Sequence, residues 1–231
     1  MIPWQQVDST SLGGAVVLTL WRRDLAGRPS EFSLRITEPN LPATELMNSR
    51  QHASERLLAE RAVEAFGQPP QTVLIGGLGM GFTLRAALDA LNGSARVTVA
   101  ELLPAVVQWN REHMGGLAGE PLEDPRVHVH VGDVDDLLDG VHHTYDLILL
   151  DTDNGPEGTS RDENEDLYTM AGLKRAHRAL TPGGILAVWS AFPSSEFTRR
   201  LERSGFDAKV TQARAYGKRG ARHVIWLARR R

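Results

Sequence analysis

From Thr72 to the end of the chain, short apolar runs alternate with stretches of helical periodicity, and this alternation limits the possible folds more than any other feature. Each run has about the length of a strand and is rich in Val, Ile and Leu. Strands that are buried on both faces and joined by helices form a parallel sheet. We therefore predict an α/β fold with a mostly parallel sheet that carries helices on both faces. The apolar runs are TVLIG (72–76), RVTVAE (96–101), RVHVHV (126–131), YDLILLD (145–151), GILAVWS (184–190) and HVIWLA (223–228), and the helical stretches lie around 82–91, 104–114, 168–179 and 195–203.

A small β element precedes this pattern. Two β-rich runs, AVVLTLWRRD (15–24) and EFSLRITE (31–38), are separated by a segment containing Gly27 and Pro29, which predicts a hairpin. A helix is expected next, because residues 49–67 place apolar side chains at helical spacing before a terminating glycine. We divide the chain into an N-terminal β element, residues 1–45, and a larger domain, residues 46–231.

Composition excludes several classes of protein. The chain has 231 residues, of which 41% are apolar and 24% charged, as in ordinary soluble globular proteins. It contains no cysteine, which excludes disulfides, thiolate nucleophiles and cysteine-ligated metals. No apolar stretch approaches the ~20 residues of a membrane span, and the N-terminus does not resemble a signal peptide. We expect a cytoplasmic protein without a membrane partner.

Charge is distributed unevenly along the chain. Residues 199–231 carry a net charge of +9, whereas residues 1–198 carry −12. A basic terminal segment can bind nucleic acid, but arginines scattered over the outer face of a last helix and strands are commoner. We expect no nucleic-acid partner and keep RNA binding as the alternative.

Chemically distinctive residues follow four predicted strands. Gly77, Gly79 and Gly81 leave the first run, and Glu101 closes the second, where a carboxylate can bind the ribose hydroxyls of a nucleoside. Asp133 and Asp151 follow two further strands, although either could instead cap a helix or form a turn. The loop lacks the lysine and the spacing typical of phosphate binding. We therefore favour an adenosyl sulfonium, S-adenosylmethionine or its decarboxylated form, over a dinucleotide.

Taken in order, several segments resemble the successive motifs of the spermidine synthases, a family of polyamine aminopropyltransferases. The resemblance covers roughly residues 43–190 and implies a Rossmann-like domain of the class I methyltransferase type with a mostly parallel, seven-stranded sheet. It also implies a small β domain before this domain, and often a homodimer. The segments are VLIGGLGMGFTLR (73–85), VAELLPAVV (99–107), DPRVHVHVGDVDDLL (124–138), YDLILLDTDNGPEG (145–158) and LYTMAGLKRAHRALTPGGILAVW (167–189).

The resemblance also implies roles for single residues. Gly77 and Gly79 would bind the methionyl chain, Glu101 the ribose, and Asp133 with Val134 the adenine. Asp151 falls where the family has its catalytic aspartate pair, followed here by Asp153 or Asn154. The sequence departs from the family pattern at three positions, because Met80 and Leu103 stand in place of acids and Ala53 in place of a tyrosine: MGFT (80–83), ELLP (101–104) and HASE (52–55).

Aminopropyl transfer requires an amine to lose a proton before it attacks the carbon next to the sulfonium. An alkyl amine has a pKa near 10, so a carboxylate must orient it and accept the proton. Asp151 and Asp153 are our candidates for both tasks, and residues 151–166, with seven acids against one arginine, would attract a polycation unless they only form a solvated loop.

The departure at Met80 leaves two further functions open. Without an acid in the glycine loop, the pocket could accept ordinary S-adenosylmethionine and methylate a small molecule or RNA. The chain could also bind a nucleoside without catalysis. We expect an aminopropyltransferase that uses decarboxylated S-adenosylmethionine.

Four further residues are candidate contacts for a small-molecule amine substrate. They are His52, Glu55, Asn154 and Trp189, the last at the end of a predicted strand. His128 and His130 share one strand face but have no evident third ligand, so we expect no metal site.

Overall fold

The structure, a computed structural model, describes residues 2–152, 155–156, 165–216 and 219–231. It contains two sheets. Four antiparallel strands form the first in the order β1-β2-β3-β4, and seven strands form the second in the order β10-β11-β9-β8-β5-β6-β7. The strands are β1 Gln5–Gly13, β2 Val16–Arg23, β3 Glu31–Thr37, β4 Thr44–Asn48, β5 Thr72–Gly76, β6 Arg96–Glu101, β7 Val127–Val131, β8 Tyr145–Leu150, β9 Leu180–Ser190, β10 Phe206–Tyr216 and β11 Arg219–Arg230; the helices are α1 Ala53–Phe66, α2 Phe82–Ala90, α3 Pro104–Trp109, α4 Glu165–Tyr168, α5 Met170–Ala179 and α6 Ser195–Arg203.

The large sheet confirms the predicted fold class. Strands β5 to β9 pair in parallel, and β10 and β11 add an antiparallel edge. One face packs against α1 and α2 through residues such as Leu58 and Leu84, and the other against α5 and α6 through residues such as Leu173 and Phe197. This burial on both faces explains why the central strands are apolar throughout their length.

The N-terminal element is larger than the hairpin that the sequence predicts. Strands β2 and β3 form that hairpin, but β1 and β4 extend it to four strands. The two outer strands were missed because QQVDSTSLG and TELMN are mostly polar and largely exposed, and therefore lack the apolar alternation of a half-buried strand. The proposed domain boundary at residue 45 stays a prediction, and β4 runs through it.

An apolar cluster joins the two sheets. Leu20 and Phe32 of the small sheet pack against Met80 of the glycine loop and against Trp109 and Met114, and Trp109 also donates a hydrogen bond from Nε1 to Asp8 Oδ2 (2.7 Å). The small sheet thereby covers the carboxyl ends of β5 and β6.

In the part of the chain that the structure describes, no helix is long and apolar enough to cross a membrane.

Candidate active site

The site lies at the switch point of the large sheet, where successive strands change from being added on one side of β5 to being added on the other. Strand β5 is followed by β6 and β7 on one side and has β8 and β9 on the other, so the loops after β5 and β8 diverge and leave a crevice. The Asp151 amide donates to Gly76 O (2.9 Å), which brings the end of β8 against the glycine loop. Gly77 has φ +91°, and a Cβ there would lie 2.4 Å from the Asp151 carbonyl oxygen. Only glycine allows this approach.

A first cavity opens above these strand ends. It contains six of the predicted cofactor-binding residues: Gly77, Gly79, Glu101, Asp133, Val134 and Asp151. Apolar side chains of the small sheet form its other wall, and a Cβ on Gly79 would lie 3.3 Å from Met47 Cε. The remaining lining residues are Leu18, Leu34, Ile36, Leu46, Met47, Ala100, Leu102, Leu103, Val106, Gly132 and Thr152.

The backbone fixes two carboxylates in the first cavity. Glu101, only 9% exposed, accepts hydrogen bonds from the amides of Leu78 and Leu103, both at 3.0 Å. Asp133 accepts a hydrogen bond from the amide of Asp135 (2.9 Å), as in the turn that the sequence predicts as its alternative role. It also lines the cavity. Acceptor groups held in this way lose little freedom when a ligand binds.

A second cavity adjoins the first and is more polar. The two share Leu46, Met47, Gly79 and Asp151. Its polar lining comes from β4, the start of α1, and the ends of the large sheet. The lining residues are Thr44, Glu45, Leu46, Met47, Asn48, Gln51, Ser54, Glu55, Leu78, Gly79, Met80, Phe82, Thr83, Asp151, Trp189, Ala191 and His223.

Asp151 and Glu55 form an acidic pair in the second cavity. Burial raises the pKa of Asp151 to about 6, against the opposing effect of a hydrogen bond from Thr83 Oγ1 (2.5 Å). Burial and then the charge of Asp151 raise the pKa of Glu55 to about 9. The Oε2 atom of Glu55 is buried and receives no hydrogen bond from the described residues. A cationic ligand would stabilise the ionised form of both groups.

The cavities are strongly biased toward negative charge. Their described lining contains the carboxylates Glu45, Glu55, Glu101, Asp133 and Asp151 and neither Lys nor Arg. Glu45 is held at the outer end by Ser33 Oγ and Asn48 Nδ2, each at 2.7 Å. In a site of restricted solvent access, this arrangement favours cations and repels anions.

The three departures from the family pattern have different surroundings. Met80 is 4% exposed and belongs to the apolar cluster between the two sheets, where a carboxylate would be poorly solvated. Leu103 packs at the edge of that cluster while its amide binds Glu101. Ala53 begins α1 and lines neither cavity.

Two predicted site residues, Gly81 and His52, line neither cavity. Gly81, with φ +82°, precedes α2 and packs against Pro121. His52 stacks on Phe82 (ring centroids 4.3 Å apart), and its Nδ1 lies 3.1 Å from Ser49 O. Asp153 and Asn154 lie outside the described residues.

Sequence reasoning missed several polar residues at the site. Thr83 binds Asp151, and Ser54 Oγ lies 2.9 Å from His223 Nδ1. Asn110 is 1% exposed and donates from Nδ2 to Gly79 O (2.8 Å) and Val106 O (2.9 Å). It begins a π-helical turn, Asn110–Met114, in the predicted helix 104–114. No sequence signal marks Asn110, because Gln108, Arg111, Glu112 and His113 make this half of the helix polar.

Three arginines of the basic C-terminal segment make structural contacts. Arg229 donates to Gly183 O (2.8 Å), Arg230 donates to Leu180 O, and Arg200 donates to Tyr168 O (3.0 Å). These arginines bind main-chain carbonyls of the α/β domain, as the structural interpretation of the segment predicts.

Within the described ranges, no group of three or more His, Asp or Glu is placed to hold a metal ion.

Comparison with known proteins relates the sequence to polyamine enzymes. The family model for the spermine/spermidine synthase domain matches residues 52–199. Polyamine aminopropyltransferase 2 of Pseudomonas aeruginosa is 29% identical over 150 residues, which are 63% of this chain and 40% of that protein. The polyamine aminopropyltransferase of Nitrosomonas europaea is 33% identical over 122 residues, 53% of this chain and 35% of that protein. The chain therefore spans well under half the length of these two relatives.

Solved structures share the fold over almost the whole chain. The spermidine synthase of Thermotoga maritima has a TM-score of 0.72 at 16% identity, covering 98% of this chain and 73% of that chain. A probable spermidine synthase of Corynebacterium glutamicum has a TM-score of 0.66 at 17% identity, covering 97% of this chain and 79% of that chain. Both alignments include the small N-terminal sheet as well as the large one.

Proposed function

The chain belongs to the spermine/spermidine synthase family, whose model covers more than half of it, and from this premise we propose that it transfers an aminopropyl group from decarboxylated S-adenosylmethionine to an amine of a polyamine. One observation carries the proposal. Two cavities meet at Asp151, and their described lining combines five carboxylates with no Lys or Arg. Both reactants are cations, and the reaction requires them to meet at one point.

The first cavity is proposed to bind the donor. Glu101 would accept hydrogen bonds from the ribose hydroxyls, Asp133 and Val134 would contact the adenine, and the apolar wall would pack on the base. Gly77 and Gly79 leave room for the chain attached to sulfur. The acidic lining supports the decarboxylated donor, because the α-carboxylate of ordinary S-adenosylmethionine would lie among like charges without a basic partner.

The second cavity is proposed to bind the acceptor amine. Asp151 stands between the cavities and would orient the attacking nitrogen, assisted by Asp153, while Glu55 and Trp189 would line the channel for the rest of the molecule. The nitrogen lone pair forms the new N–C bond as the C–S bond breaks, and its electron pair stays on sulfur. The products are a secondary amine and methylthioadenosine. Asn154 and His52 remain candidate contacts with the acceptor.

A transfer assay tests this function. The protein is incubated with decarboxylated S-adenosylmethionine and putrescine or spermidine, and mass spectrometry follows the aminopropylated amine and methylthioadenosine together. Equal amounts of both products are expected. Methyl transfer from ordinary S-adenosylmethionine would identify a methyltransferase, and adenosyl binding without consumption of either sulfonium would identify a non-catalytic homologue.

Two further properties complete the proposal. We propose a homodimer, as the family resemblance implies, and a cytoplasmic location. Sedimentation of the purified chain tests the first property, and fractionation of the source cells tests the second.

A further inference from the structure

His223 is a titratable group in the second cavity to which the proposed function gives no role. It lies on β11 and reaches the same cavity as Asp151, Glu55 and Trp189, with its ring 4.7 Å from that of Trp189 in an edge contact. Ser54 Oγ is 2.9 Å from Nδ1, and the serine is only 2% exposed. The described residues offer Nε2 no hydrogen bond. Nε2 is therefore the ring nitrogen that remains for a ligand.

We propose that His223 accepts, through Nε2, the proton that the acceptor amine must lose before it attacks the donor carbon. The proposal rests on the proposed function. The acceptor enters as an ammonium ion, one N–H proton passes to Nε2, and the freed lone pair forms the N–C bond while the C–S electron pair leaves with sulfur. The histidine becomes a cation and later releases the proton to solvent.

A separate proton acceptor has an electrostatic advantage over Asp151 acting alone. A carboxylate that takes the proton loses its negative charge just as positive charge develops on the attacking nitrogen. If the imidazole takes the proton instead, Asp151 remains ionised and stabilises that charge. Burial lowers the pKa of His223, so the ring is neutral and able to accept a proton at neutral pH.

The proposal requires one tautomer of His223, and the contact between Nδ1 and Ser54 Oγ is compatible with it. A neutral imidazole accepts at Nε2 only when its proton is on Nδ1, and Nδ1–H must then donate to Ser54 Oγ. The surrounding charges favour proton transfer to the ring, because Asp151 and Glu45 face the cavity. Glu55, whose raised pKa keeps it protonated in the free protein, would add its charge when a bound cation favours its ionised form. The described lining of this cavity contains no Lys or Arg: Arg61 donates to Gln212 O (3.1 Å) on the adjacent strand β10, and Arg222, which precedes His223, is exposed.

The pH dependence of kcat/KM for the acceptor tests the proposal. In the wild type, Asp151 must be ionised and His223 neutral. On a plot of log(kcat/KM) against pH, the fall toward low pH should therefore have a slope one unit steeper in the wild type than in His223→Gln. That variant should lose about 100-fold in kcat, within the usual range for a general base, and keep its Kd for the donor. Ser54→Ala should lose less, because the ring remains but loses the hydrogen bond that holds it in place. His177→Gln is the matched control, since His177 is also partly buried with a lowered pKa but packs on Phe206 outside both cavities.

An unchanged slope in His223→Gln, with folding verified by circular dichroism, would overturn the role of His223 while leaving aminopropyl transfer intact. Absence of transfer by the wild type would instead remove the proposed function. The tautomer supplies a readout that needs no turnover: nitrogen-15 NMR of the free protein at pH 7.5 should show His223 protonated at Nδ1. Protonation at Nε2 would contradict the proposal in either case.

Discussion

The two cavities that meet at Asp151 are built in different ways. The first is formed by main chain at the ends of parallel strands, by carboxylates held on backbone amides, and by an apolar wall from the small sheet. The second is formed largely by side chains from β4, α1, β9 and β11, together with Asp151, and burial shifts the pKa values of Glu55, Asp151 and His223. A cavity made from main chain presents a fixed shape, whereas one made from buried ionisable groups responds to the charge of its ligand. The comparison predicts that substitutions will separate donor binding from acceptor chemistry.

The largest effect is expected where the cavities join. Asp151→Asn preserves shape and removes the charge that orients the amine, so we expect turnover to fall by about 1,000-fold or more. The Kd for the donor, measured by calorimetry, should change by less than about three-fold, because the first cavity keeps its other carboxylates. Loss of donor binding parallel to the loss of turnover would show that the cavities are not separable.

The next effect concerns the shape of the first cavity. In Gly77→Ala, the new Cβ would meet the Asp151 carbonyl oxygen, and φ +91° is strained for alanine. We expect donor affinity to fall by about 100-fold and the free energy of unfolding by about 2 kcal/mol, measured by calorimetry and denaturant titration. Gly93→Ala is the control, because a Cβ there meets no atom within 4 Å. Normal donor binding by Gly77→Ala would contradict the close approach of the two loops.

Substitution of Glu55 should have a smaller effect, and it should separate acceptor binding from protein stability. The raised pKa of Glu55 means that the folded protein holds a proton that the unfolded chain releases above pH 4.5, so stability falls as pH rises from there toward about 9. Glu55→Gln removes this effect and should stabilise the free protein at pH 8.5 by on the order of 1–3 kcal/mol, but not at pH 4.5.

The same variant should raise KM for the acceptor by about ten-fold through loss of an ion pair, with donor Kd unchanged. Thermal unfolding at the two pH values and steady-state kinetics check both parts. Glu60→Gln, an exposed position on α1, is the control. A pH-independent change in stability would argue against a buried, protonated Glu55.

The smallest effect is expected at the support of the glycine loop. Asn110→Asp replaces a buried donor with an acceptor that faces the carbonyls of Gly79 and Val106. We expect donor affinity to fall by about five-fold, with a stability loss of about 1–3 kcal/mol for the unpaired groups. Calorimetry at a temperature where the variant is folded separates the two effects, and acceptor KM should not change. A selective change in acceptor KM would mean that Asn110 acts on the second cavity.

The same difference explains what the sequence could predict. Gly77, Glu101, Asp133 and Asp151 each follow an apolar run, and the ends of parallel strands meet at one edge of a sheet, so their convergence follows from the pattern. Ser54 and His223 are 169 residues apart and meet only because β11 enters the sheet antiparallel beside β9. No local sequence pattern predicts that these two residues meet. Strands β1 and β4 were missed for a related reason, since their polar sequences depend on neighbouring strands for their conformation.

The arginine-rich end of the chain shows the limit of charge counting. The net charge of residues 199–231 alone permits nucleic-acid binding. The contacts of Arg229 and Arg230 show that part of this charge ties β11 to main-chain carbonyls of the large sheet. Placement in the fold, which composition does not contain, distinguishes these uses.

In the proposed function, cavities whose described lining has acids but no Lys or Arg select a donor that has no carboxylate. Calorimetric titration of the purified protein with decarboxylated and ordinary S-adenosylmethionine, under identical buffer and salt, tests it most directly. The account predicts that the decarboxylated compound binds at least about ten-fold more tightly, as expected for even a weak repulsion between the α-carboxylate and the lining. Equal or tighter binding of ordinary S-adenosylmethionine would contradict it.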